Sequence, residues 1–123
     1  MKRILVIDDD ELILKSIAFS LNGDDCTIVT AKDAYSALEI ANKTKIDVII
    51  CDIMMPALSG LELLSLLKNF YLNSIPVIIM SSLIKEDVVS SALNMGASYF
   101  VSKPLDYDSL KEKVHELSIQ KAY

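Results

Sequence analysis

Five short apolar runs alternate along this chain with five stretches of helical period, and that alternation leaves few folds open. The runs cover residues 3–7, 27–30, 48–51, 77–80 and 99–102. Residues 48–51 and 77–80 are apolar throughout, as expected of strands buried on both faces of a parallel sheet. Between the runs, Ile13, Leu14, Ile17 and Leu21 recur at helical spacing, as do Ala34, Ala37, Leu38 and Ala41. Asp9 or Asp10 can cap the first helix, Asp33 opens the second and Asp106 the last, whose inner face is Leu110, Val114 and Leu117. Ser59 and Glu62 have the spacing of a capping box, which predicts a third helix through Leu64 and Leu67 to about Phe70. A fourth helix is expected from Lys85 to Met95, stopped by Gly96, and Asn22-Gly23 stops the first. Strands alternating with helices over short connections call for a parallel sheet covered on both faces. No linker, low-complexity segment or further repeat interrupts the pattern, so residues 1–123 read as one domain.

Composition narrows the function classes. Seventeen acidic against 12 basic residues give a net charge of -5, which argues against nucleic acid as a direct partner of this domain. Cys26 and Cys51 form no CxxC pair and have no histidine nearby, so they read as free thiols, not as a disulfide or zinc site. The lone His115 lies in a charged helical stretch and reads as a solvated residue. The N-terminus has too few apolar residues before its three acids for a signal peptide or a membrane span, and a cytoplasmic location is expected.

The chemistry lies in how the runs end. The first stops at Asp8-Asp9, the third at Asp52, the fourth at Ser81 and the fifth at Lys103. In a parallel sheet all these ends point the same way, so the four groups can converge on one surface. Carboxylates crowded together repel one another unless a cation is present. Their oxygens are hard ligands, which favours Mg²⁺, an ion that often shares its shell with phosphate oxygens. A lysine and a hydroxyl beside that ion complete a cradle for a phosphoryl group, and a carboxylate can be the nucleophile that receives it. Taken singly, a strand-end Asp is a helix cap or turn residue, Ser81 another cap, and Lys-Pro a turn. The four ends together are harder to dismiss.

The motifs ILVIDDDE, DIMMPALSG, PVIIMSS and VSKPL resemble those of the receiver domains of two-component response regulators. Their spacing agrees: Pro56 lies four and Gly60 eight residues beyond Asp52, and Lys103 lies 22 beyond Ser81. The resemblance covers the whole chain and implies a flavodoxin-like, doubly wound (βα)5 fold with strand order 2-1-3-4-5, an order the general rule for such sheets already illustrates with a receiver. It also implies a cis Lys103-Pro104 bond. By the same resemblance Asp52 accepts a phosphoryl group from a histidine kinase or phosphotransfer protein, in a phosphorelay that the domain itself catalyses without being a metabolic enzyme. Asp9 and Asp52 are expected to bind Mg²⁺ directly with the backbone carbonyl of Met54, and Asp8 through water. Lys103 is expected on the phosphoryl oxygens and Ser81 hydrogen-bonded to one of them. Phe100, three residues before the lysine, matches the aromatic switch that turns as Ser81 moves. The output would be a repacked face of the fourth helix, fifth strand and fifth helix, read by an effector protein, a fused output domain or a phosphorylation-dependent dimer.

Four positions depart from the common pattern. Serine stands at 81 where threonine is usual, Ser82 where alanine is usual, and the apolar Met54 and Leu83 occupy positions that tune attack of water on the acyl phosphate. A slow loss of phosphate is the expectation. Two rival readings remain: a small Mg²⁺-dependent phosphohydrolase, disfavoured by the lack of a DxDxT or P-loop motif, and a receiver-like interaction domain that does not switch.

Overall fold

A computed structural model describes residues 1–23, 25–54, 60–66, 75–82 and 85–120. In chain order the elements are β1 (Lys2–Ile7), α1 (Glu11–Leu21), β2 (Cys26–Ala31), α2 (Ala34–Lys43), β3 (Val48–Asp52), α3 (Gly60–Leu66), β4 (Val77–Ser81), α4 (Glu86–Asn94), β5 (Tyr99–Ser102) and α5 (Tyr107–Gln120). The strands form one parallel sheet in the order β2-β1-β3-β4-β5. Both the strand order and the alternation expected from the sequence are therefore present. Strands β1, β2, β3 and β4 extend a residue or two beyond the apolar runs, because ladder bonds continue into Lys2, Cys26, Asp52 and Ser81 whatever the polarity of the side chain.

The central strands read as unbroken apolar runs because each supplies two cores. Leu5, Ile7, Ile49, Cys51, Val77 and Ile79 join the layer with Ala34, Ala37, Ala41, Leu63, Leu64 and Ala92. Their neighbours Ile4, Val6, Val48, Ile50, Ile78 and Met80 pack on the other face with Leu14, Ile17, Leu21, Leu110, Val114 and Leu117. Each buried Val, Leu, Ile or Met side chain among them contributes about 1.5–3 kcal/mol, so the middle of the sheet is the rigid part of the molecule. The expected inner faces of α1, α2 and α5 are all found there, with Ile13 and Leu38 half-buried at the margins.

The helix starts follow the capping chemistry. Asp10, and not Asp9, caps α1, accepting from the Leu12 N–H at 2.9 Å. Asp33 accepts from Ser36 at 2.7 Å and Asp106 from Ser109 at 3.1 Å. Gly96 has φ 106°, a left-handed conformation that glycine adopts without steric cost after α4. Helix α4 lacks a side-chain cap at Lys85 and is one residue shorter at each end than its periodicity suggested. The expected cap at Ser59, the helical residues Leu67 and Phe70, and Pro56 and Leu83 lie outside the described residues.

Strand order decides where a ligand can sit. The chain passes from β1 outward to β2 and then returns to the other side of β1 as β3. Connections leaving β1 and β3 therefore diverge to opposite faces of the sheet, opening a crevice at their carboxyl ends. Asp8 and Asp9 follow β1, and Asp52 ends β3.

Candidate functional site

Register brings the polar residues together. Ile7 lies beside Cys51, Asp52 beside Met80, and Met80 beside Val101, so Asp8 comes level with Asp52, while Ser81 and Lys103 lie one and two residues further along, all in one row of strand ends. The row is pinned from below and from both sides. Asp8 N–H donates to the Ala31 carbonyl at 3.1 Å, Ile53 N–H to Met80 at 3.0 Å, and Lys103 N–H to Ser81 at 2.8 Å.

The side chains then meet. Carboxylate oxygens of Asp8, Asp9 and Asp52 all lie within 4.8 Å of one another. Asp8 and Asp52 are buried, at 0% and 4% exposure, whereas Asp9 is exposed. Lys103 reaches in from the far side, its Nζ 2.8 Å from Asp8 Oδ2 and 3.5 Å from Asp52 Oδ1. The other oxygen of Asp8 accepts the Asp10 N–H at 2.9 Å. Ser81 is fully buried at the end of β4. Lys103-Pro104 is cis, as expected.

Burial and the neighbouring Asp8 carboxylate push the Asp52 pKa above its ordinary value, against the opposing pull of Lys103 and the Met54 N–H. Lys103 is pulled both ways. Burial lowers its pKa, but the bond to Asp8 and the charges of Asp52 and Asp8 outweigh this and leave it raised. One ammonium is thus shared between two buried carboxylates, with a third alongside. Such a site is short of positive charge.

The donor set suits a hard divalent cation. Every candidate ligand atom in the cluster is a carboxylate oxygen. The nearest thiol, Cys51, directs its Sγ to the Asp52 carbonyl at 3.3 Å, and burial followed by the Asp52 and Asp8 charges drives its pKa upward, away from a thiolate ligand. An all-oxygen, partly open cluster fits Mg²⁺ and disfavours zinc or copper. Residues Asp8, Asp9 and Asp52 would hold the ion, and the backbone at Met54, whose side chain is exposed, lies beside them.

A sequence model described as the response regulator receiver domain matches residues 4–115. The chain belongs to the response regulator receiver family. This receiver domain is 35% identical over 113 residues to the transcriptional regulatory protein ZraR of Klebsiella oxytoca, covering 92% of the present chain and 25% of that protein. It therefore spans about a quarter of the length of that curated relative. The receiver domain of the Francisella response regulator 1452 superposes with a TM-score of 0.91 at 32% identity, covering 98% of each chain. A receiver domain protein from Clostridium thermocellum gives 0.91 at 31% identity, covering 99% of this chain and 98% of that one. Receiver domains are modules of phosphorylation-dependent two-component signalling, not metabolic enzymes, and neither the phosphohydrolase nor the non-switching reading gains support from these matches.

Every site residue named from the sequence except Phe100 falls at this end of the sheet. Phe100 is half-buried on β5, packed against the cluster shared by α2, α3 and α4, and borders a cleft of about 240 Å³ with Pro104 and Leu105. Sequence reasoning did not foresee one contact of Lys103, whose Nζ lies nearer to Asp8 than to Asp52. It also missed a contact between α5 and β5, where Lys113 lies 4.3 Å above the Tyr99 ring. An aromatic residue on an edge strand opposite a lysine-bearing helix is the only signal of that pair. No described helix is long and apolar enough to cross a membrane.

Proposed function

We propose that Asp52 is the phosphoacceptor of this receiver domain. The observation that carries this is the gathering of three carboxylates within 4.8 Å around a single lysine that touches two of them. Bound Mg²⁺ would supply the positive charge that the site lacks and neutralise phosphoryl oxygens. Asp9 and Asp52, with the Met54 carbonyl, are its direct ligands in this reading, and Asp8 acts through water. Asp52 then attacks phosphorus in line, a new O–P bond forms, and the bond from phosphorus to the donor's leaving group breaks. Lys103 moves from Asp8 toward the transferred oxygens, and Ser81 donates its hydroxyl to one of them.

The donor is a histidine kinase or phosphotransfer protein. The switch is Ser81 and Phe100, with β5 passing the change to the faces of α4 and α5. The reader of that face is an effector or a fused output domain, as in longer transcriptional regulators, or a second phosphorylated copy. Residues 1–123 act as a single receiver unit in the cytoplasm, catalysing their own phosphorylation and dephosphorylation.

Intact mass after incubation with Mg²⁺ and acetyl phosphate tests the assignment. One phosphoryl adduct is expected on the wild type, absent from Asp52→Asn and absent in EDTA. An adduct that persists in Asp52→Asn would place the acceptor elsewhere.

A further inference from the structure

The opposite end of the sheet carries a device of a different kind. Strand β2 is an edge strand, bonded only to β1. The carbonyls of Asp25 and Ala31 accept from Lys2 at 2.9 Å and Asp8 at 3.1 Å, so these odd-numbered residues turn their backbone groups inward. Cys26, Ile28 and Thr30 consequently turn theirs to the free edge. The chain itself covers part of that edge. Gly23 N–H donates to the Cys26 carbonyl at 3.0 Å, Cys26 N–H to the Gly23 carbonyl at 3.4 Å, and Ile28 N–H to Asn22 Oδ1 at 3.2 Å. The Asn22 side chain stands where the carbonyl of a neighbouring strand would stand. Its own N–H closes α1 on Ala18 at 3.0 Å.

Among the described residues, nothing requires glycine at 23. Its φ lies outside the left-handed region, and an added methyl would meet nothing within 4 Å. Glycine here has a chemical consequence instead. After asparagine, a residue without a side chain leaves its amide nitrogen unhindered for attack on the asparagine Cγ. A new N–C bond then forms, the side-chain amide leaves as ammonia, and water opens the cyclic imide to aspartate or isoaspartate. In this fold both partners are engaged: the Gly23 N–H with the Cys26 carbonyl, the Asn22 side-chain Oδ1 with the Ile28 N–H. Asn22 is moreover held extended, at ψ 137°.

We propose that Asn22 is a gated deamidation site. The bonds that close the outer edge of β2 also keep Asn22 from cyclising, and each local opening releases both at once. Conversion to isoaspartate lengthens the main chain by one carbon and withdraws the acceptor from Ile28. The edge at Cys26 and Ile28 is then left open, whatever the state of the phosphoryl site.

The full chain, folded and in urea, would be incubated at mildly alkaline pH beside Gly23→Ala, with peptide mapping and NMR amide exchange. Asn22 should convert roughly tenfold more slowly in the folded chain than in the unfolded one, as local opening requires. Gly23→Ala should melt like the wild type and convert more slowly still. Amide exchange at Cys26 and Ile28 should accelerate in aged wild type and stay unchanged in equally aged Gly23→Ala. Equal rates folded and unfolded, no conversion at Asn22, or unchanged exchange in the isoaspartyl protein would each overturn the proposal.

Discussion

Strand β3 ends in a buried aspartate at both extremities, and the two have opposite surroundings. Asp47, 8% exposed, stands just before the strand; Asp52, 4% exposed, closes it. Asp47 is answered by its neighbour on β1: its Oδ2 accepts the Arg3 N–H at 2.8 Å, and its own N–H donates to the Arg3 carbonyl at 2.8 Å. Asp52 faces two more carboxylates and half of one lysine. Burial alone does not mark a functional acid. The useful distinction is between a buried charge satisfied locally and one crowded by like charges.

Lys103 provides the hardest test of that contrast. Removing it as Lys103→Ala strands Asp8, which is fully buried, and breaking a buried pair by deleting one partner costs about 3–5 kcal/mol. Denaturant unfolding in EDTA should show a loss near the lower end of that range, because Asp8 keeps its bond from Asp10. Saturating Mg²⁺ should restore much of the loss by binding the native state, about 2.7 kcal/mol at a hundredfold excess over Kd. A loss that Mg²⁺ leaves untouched would mean that the lysine acts as a packing element and not as a stand-in cation.

The two aspartates should respond to neutralisation with opposite signs. Asp47→Asn weakens a charge-assisted bond to a buried N–H and should cost about 1–3 kcal/mol at neutral pH. Asp52→Asn removes a charge disfavoured by burial and by Asp8, so it should raise stability without metal while abolishing the phosphoryl adduct. The pH dependence follows from the raised pKa. A carboxyl whose folded pKa exceeds its unfolded value favours the native state fully below the unfolded value, and that contribution is lost as pH rises through the folded one. Wild type should therefore lose stability above the ordinary aspartate range relative to Asp52→Asn, whose profile is flatter there. Parallel profiles in urea titrations would break the comparison.

The difference between the two ends was only half legible beforehand. Apolar runs ending in Asp8, Asp52, Ser81 and Lys103 announced the site, because residue type at a strand end is a local property and the direction of a parallel sheet does the rest. Asp47 also borders an apolar run, and nothing in its neighbours along the chain distinguishes it. Its partner, Arg3, is 44 residues away and is chosen by the β1–β3 register. Lys103 choosing Asp8, 95 residues distant, has the same origin. The Asn22–Gly23 pair was legible as a helix stop, but not as the cover of an edge strand, since that depends on which backbone groups β2 turns outward. Cross-strand pairing is the information that periodicity does not carry.

Met54 offers the smallest effect and the finest discrimination. Its side chain is 57% exposed, two residues beyond Asp52, so substitution there leaves the core untouched. A thioether chain neither donates a hydrogen bond to water nor accepts a strong one, and so cannot orient a molecule for attack on an acyl phosphate. Asparagine, though shorter, can do both. Met54→Asn should accelerate loss of the phosphoryl group several-fold, on the order of 1 kcal/mol in the barrier, with unfolding free energy within about 0.5 kcal/mol of wild type. The decay of the intact-mass adduct after removal of acetyl phosphate measures the first, and urea titration the second. An unchanged or slower decay would show that the hydrolytic water is positioned from elsewhere, and that the apolar residue beyond Asp52 does not prolong the signal. A matched change at Asp47, which has no part in phosphoryl chemistry, should leave the decay alone even as it lowers stability, separating the two ends of β3 in one pair of measurements.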